Sequence, residues 1–316
     1  MTDGALARWL TYAAALLVVG ASVFRFGVLR ALARSISVPG ELAPRAARVA
    51  LVAAAILGLI AAPLRLLAQA RSFLDPGQGL TLDLIGTVLG TGWGHAWTVQ
   101  VLASGLAAAG ALFATVAPSG WFPAAVGATT VVLSMPLTGH AIGAEQSGGW
   151  GYPLDALHLL GAGSWVGTLG VLTMVALMQA GRRAGGQAGS DAGTAADAIL
   201  GSRARLVADL VHAFHPVALA GAGVTVLAGV ALSLRYLQGD FAAIVRSEWG
   251  RTLLIKLALL AVVASLGAWN SRVMRHKLGS DEASSQMRKS AVIELAVAFL
   301  LLGATAALVA MPLPGE

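Results

Sequence analysis

The chain has 316 residues, 57% of them apolar and only 11% charged. Those proportions exclude an ordinary soluble domain and describe a polytopic membrane protein whose first partners are membrane lipids. Zero cysteines exclude disulfides, thiolate metal sites and iron–sulfur ligation. The net charge of +6 lies in the connections between apolar runs, with no basic stripe interleaved with aromatics, so nucleic acid is not a predicted partner.

A helix crosses a bilayer with about 20 apolar residues. By that measure the sequence predicts an all-α, polytopic transmembrane helical bundle of about eight spans. They fall at 7–30, 46–69, 96–117, 121–141, 153–179, 212–237, 251–274 and 290–311. The first run, Trp9 to Val28, is too long for the apolar core of a secretory signal and reads as a retained span. Residues 80–92 (LTLDLIGTVLGTG) are too short to cross and are predicted to lie along the interface. The whole of 1–316 reads as a single membrane domain. Its one long polar connection, 181–208, is rich in glycine and arginine and is predicted to be a flexible cytoplasmic linker between sub-bundles 1–180 and 209–316.

The distribution of Lys and Arg predicts orientation. Loops on one side hold Arg30, Arg34, Arg45 and Arg48, then Arg182, Arg183, Arg203 and Arg205, then Arg272, Arg275, Lys277, Arg288 and Lys289. The other side holds only Arg8, Arg71, Arg235, Arg246 and Arg251. The positive-inside rule makes the richer side cytoplasmic and both termini periplasmic.

The chemistry-bearing residues gather at span ends. His95, His140 and His158 fall at the predicted periplasmic side, and His212 with His215 at the cytoplasmic side. An imidazole at membrane depth needs a hydrogen-bond partner or a metal. With 6 His, 7 Met and no Cys, the available ligands suit copper, Cu(I) in particular, better than magnesium or calcium. In the fourth span (VVLSMPLTGHA), Pro136 kinks the helix between Met135 and His140. Met135 and His158 come to one level on adjacent antiparallel helices, with His95 as an entrance ligand. Asp155, three residues before His158, is positioned to hold the imidazole tautomer. Asp209, His212 and His215 share a helix face where the sixth span opens, with Pro216 in its first turn. Of the charges inside spans, Arg25 and Glu294 lie at similar depth and are predicted to pair; Lys256 lies too far along the membrane normal to join them. The templates GxSxG, HExxH and the Walker glycine loop are absent from the sequence, and it does not read as an enzyme.

The stretches GHA at 139–141, HLLGAGSWVGTLGVL from 158, FHPVALAGAGVTVLAGVALS from 214 and SEWGRTLLIKLALL from 247, with Glu294 and the terminal MPLP, resemble the CopD family of copper-resistance membrane proteins. The resemblance implies a bacterial inner-membrane protein of copper homeostasis that carries copper inward from the periplasm, with His140, His158 and His215 as the matching histidines. Some relatives carry a fused periplasmic copper-binding domain; without one here, the resemblance implies a separate periplasmic donor protein. Two other readings stay open: a b-type haem electron-transfer protein using His140 and His158 as axial ligands, and a non-transporting metallation or assembly factor.

An alkaline-phosphatase fusion within 181–208 is expected to be inactive, and a fusion after the last span active; the reverse result inverts the topology.

Overall fold

The computed structural model describes residues 3–34, 42–75, 77–139, 149–186, 193–274 and 281–312. Within them, eight helices are long and apolar enough to cross a membrane. They are span 1 (Gly4–Ala33), span 2 (Leu42–Arg71), span 3 (Gly92–Phe113), span 4 (Pro118–Thr138), span 5 (Gly151–Met178), span 6 (Ala208–Leu237), span 7 (Glu248–Arg272) and span 8 (Arg288–Leu308). The predicted spans are all present, with ends displaced by up to four residues. Hydroxyl caps set three of the helix starts. Thr81 accepts from the Leu84 N–H at 3.2 Å and opens the short helix Leu82–Leu89. Thr91 caps span 3 through Gly94 at 3.1 Å, and Ser247 caps span 7 through Gly250 at 2.9 Å.

The predicted linker is not coil where it is described. The helix of span 5 continues to Gly186, and span 6 is the end of a 45-residue helix, Gly193–Leu237. Pro216 therefore sits inside a helix rather than in a first turn, and its missing N–H leaves the His212 carbonyl without an i+4 donor. The two expected sub-bundles also share one core. Phe24, Leu51, Trp165, Leu210 and Ala298, from spans 1, 2, 5, 6 and 8, belong to a single buried cluster.

Eight crossings bring both ends of the described chain to one face, here called the terminal face. Trp9 stacks on Phe299 with ring centroids 4.3 Å apart and donates to its carbonyl at 3.0 Å. Large apolar side chains such as Leu102 and Leu227 (68% and 73% exposed) point outward, where hydrocarbon takes the place of water.

Hydrocarbon supplies no hydrophobic drive between helices, so close approach depends on small residues. Span 5 uses them on two sides. A methyl group on Gly167 would collide with the Leu16 carbonyl, and one on Gly20 with the Gly167 backbone, so spans 1 and 5 touch main chain to main chain. A methyl group on Gly161 would lie 2.8 Å from the Gly221 carbonyl oxygen, and one on Gly221 2.9 Å from that of Gly161, which fixes spans 5 and 6. Span 5 is 61% buried over its most apolar window, against 22% for span 6 and 11% for span 7. It is the axis on which the rest is hung.

Gly167→Leu is expected to cost about 3 kcal/mol or more, because backbone rather than a flexible side chain blocks the added atoms. A thermal unfolding midpoint in detergent reads this, with Gly223→Ala, whose added carbon meets nothing within 4 Å, as the neutral control.

Candidate functional site

Near the terminal face, span 4 ends in a changed helix. Pro136 has no N–H for the Val132 carbonyl, and Met135 N bonds that carbonyl instead at 3.2 Å. The chain tightens into a 3-10 turn over Pro136–Thr138, with Thr138 N on the Met135 carbonyl at 3.1 Å, so the Ser134 carbonyl is left over. Gln100 of span 3 takes it, donating from Nε2 at 3.0 Å. Its Oε1 accepts from Arg65 Nη1 of span 2 at 3.1 Å, and Arg65 Nη2 donates to both the hydroxyl and the carbonyl of Thr138. Arg65 also stands 5.8 Å over the ring of Trp93. Arg65, Gln100, Ser134 and Thr138 are all buried, and together they lock the kinked end of span 4 to spans 2 and 3. Sequence reasoning missed this network. Its available signal was Arg65 itself, a cation inside an apolar run.

The histidines around this end have separate settings. His95 is exposed on the first turn of span 3. His140 lies outside the described residues. Met135 is 4% exposed and enclosed by Val19, Val131, Val132 and Leu159. His158, next to Leu159, looks the other way: its Nδ1 lies 2.8 Å from the Thr225 carbonyl of span 6. A carbonyl only accepts, so this contact places the proton on Nδ1 and leaves the Nε2 lone pair available. Gly229, one turn on, makes the room, since a methyl group there would come within 2.9 Å of the ring.

The predicted partnership of Asp155 with His158 is thus filled by a main-chain group. Asp155 lies within electrostatic range of Lys256 on span 7, and Lys256 within range of His158. Lys256 gains a carboxylate on span 5 rather than on span 8.

At the opposite face, Arg25 and Glu294 do not pair. Arg25 belongs to a π-turn, Phe24–Val28, whose extra residue rotates the helix register, and its guanidinium stands 5.4 Å over Trp121. Span 8 meets span 1 nearer the terminal face, at the Trp9–Phe299 stack. Glu294, 3% exposed, accepts instead from Asn270 Nδ2 at 3.0 Å, and Asn270 Oδ1 accepts from Ser290 at 2.6 Å. Beside them His215 Nδ1 is 3.2 Å from Ser271 Oγ. His212 is exposed, with Nδ1 on the Ala208 carbonyl of its own helix at 2.8 Å. Among the described residues, no three of the His, Asp and Glu side chains gather into one cluster.

The description "Copper resistance protein D-like, N-terminal domain" matches residues 1–152, and "Copper resistance protein D" matches residues 208–308. The chain belongs to the copper resistance protein D family. No curated protein and no solved structure matches it. The chain is a copper-resistance membrane protein, and the two matches divide the residues just described. Arg65, His95, Gln100 and Met135 fall in the N-terminal match, and His215, Asn270 and Glu294 in the C-terminal one. Span 5, with His158, lies between the two and joins them.

Gln100→Leu removes the partner of a buried guanidinium nitrogen and of the Ser134 carbonyl. It is expected to cost about 1–3 kcal/mol for each group left unpaired, read as a lowered unfolding midpoint in detergent.

Proposed function

We propose that the chain carries copper ions across the bacterial inner membrane, inward from the periplasm, with His158 as its central ligand. One observation carries the reading: the imidazole of His158, inside span 5, is held by the Thr225 carbonyl with Nε2 left as a neutral donor. Metal-binding histidines characteristically give their other ring proton to such an acceptor, which fixes tautomer and orientation together. A neutral nitrogen suits Cu(I), and Lys256 with Asp155 bring opposite charges to this region, so the pair adds no net charge to an arriving cation.

In this reading the terminal face is periplasmic. A separate periplasmic copper-binding protein delivers the ion, and the exposed His95, with His140, receives it. His158 holds it within the outer half of the bundle. His215 and His212, at the far end of span 6, release it to the cytoplasm. Thr225, which orients His158, and His215 stand on the same helix ten residues apart, about 15 Å along its axis. Met135 acts through packing that supports the Pro136 kink, as a member of a buried apolar cluster.

Cu(I) binding and uptake by the purified protein in liposomes test this. His158→Ala is expected to weaken both by about 100-fold or more, since removing a ligand exceeds the 10- to 100-fold loss typical of its outer partners. Gly229→Val, which crowds the ring at Cε1 and Nδ1 but keeps the imidazole and its Nε2, is expected to weaken them less. Unchanged copper stoichiometry and uptake in folded His158→Ala would remove this histidine from the account. A strong Soret band in the visible spectrum would favour the haem reading, and copper binding without uptake the assembly-factor reading.

A further inference from the structure

A cavity of about 810 Å³ lies between spans 5, 6, 7 and 8. Spans 6 and 7 follow each other in the chain, yet span 6 packs on span 5 and span 7 on span 8, and the cavity fills the gap between them. Its walls are apolar, among them Leu172, Leu219, Val226 and Leu260. Thr173 of span 5 is also in the wall, with its hydroxyl bonded to the Leu169 carbonyl. Polar and charged groups crowd one end, where Arg272 closes span 7 and Arg288 opens span 8.

We propose that this cavity binds a phospholipid with an anionic headgroup, its phosphate between Arg272 and Arg288 and one acyl chain running inward between spans 6 and 7. Two features of the cavity identify the occupant. The first is length. Arg272 and Leu260 are twelve residues apart, so the groove is ~18 Å long at 1.5 Å per residue. Half of the ~30 Å hydrocarbon core is ~15 Å. The groove is therefore one leaflet deep, with its charged end at the interface. The second is charge. The mouth carries two guanidinium groups, which match phosphate in geometry as well as sign. The carboxylate in the lining, Glu294, stands six residues inward of Arg288 and accepts from Asn270. A zwitterionic lipid would satisfy the walls equally but gain less at the mouth. The lipid fills the gap between spans 6 and 7, which touch at their ends through Tyr236 on Trp249 and His215 beside Ser271. This inference stands whether or not copper is the cargo.

Native mass spectrometry of the full-length protein, exchanged into micelles holding equal phosphatidylglycerol and phosphatidylcholine, reads which lipid stays bound. At about a factor of five per arginine near the surface, the pair is expected to favour phosphatidylglycerol by about thirtyfold. Arg272→Gln/Arg288→Gln should abolish that preference. Gly223 lines the cavity, and a side chain started there meets nothing within 4 Å, so Gly223→Leu fills the groove without strain. It should expel both lipids while keeping the unfolding midpoint. Equal retention of the two lipids by the unaltered protein would overturn the proposal. So would a preference that survives the double arginine change, undiminished retention in Gly223→Leu, or displacement of the lipid by millimolar glycerol 3-phosphate.

Discussion

The main-chain contact between spans 5 and 6 at Gly161 and Gly221 determines what the rest of the bundle can do. With no side chain at either position, the two helices come close enough for His158 to reach a carbonyl of its neighbour, and Gly229 clears the space for the ring. A bulkier residue at the crossing would push the helices apart and leave an imidazole in hydrocarbon without a partner, a costly arrangement. The other side of span 5 is held in the same way, by Gly167 against span 1. A single helix thus transmits position from the N-terminal half of the bundle to the C-terminal half. It is also the helix that lies between the two regions matched by the family.

Several polar groups within the spans are held by a neighbour from another helix or by their own preceding turn. Arg65 is shared between Gln100 and Thr138, Glu294 is held by Asn270, and Arg25 lies against an aromatic face. The functional consequence differs between the two faces. At the terminal face the network stiffens the kinked end of span 4, next to the segment containing His140. At the opposite face the Asn270–Glu294 pair sits at the wall of a cavity, beside His215, in the part of the bundle where helices touch least.

That asymmetry has an energetic meaning. Spans 1 to 5 are joined by backbone-close crossings and buried polar contacts, which are discrete and hard to deform. Spans 6 to 8 expose most of their surface to lipid, and spans 6 and 7 are separated by a cavity. Freedom to rearrange belongs to the part with fewer buried contacts.

The eight spans, the short helix Leu82–Leu89 and the positions of His95, His158, His212 and His215 along their helices were legible in the sequence alone. Hydropathy over about twenty residues and rise per residue are local properties that neighbours do not alter. The Pro136 kink was legible for the same reason, since the missing donor belongs to the residue itself. Partners were not. Depth along the membrane normal brought Arg25 and Glu294 together on paper, but depth says nothing of which way a side chain faces, and a π-turn in span 1 redirects Arg25 to Trp121. The carbonyl that holds His158 belongs to Thr225, 67 residues away, and a main-chain acceptor leaves no mark in residue type. Arg65 is a single cation in an apolar run until Gln100 and Thr138 arrive from two other helices. The sequence by itself determined how many helices cross and how deep each group lies. The tertiary structure alone decided which groups meet, because helix rotation and crossing are set by packing between segments far apart in the chain.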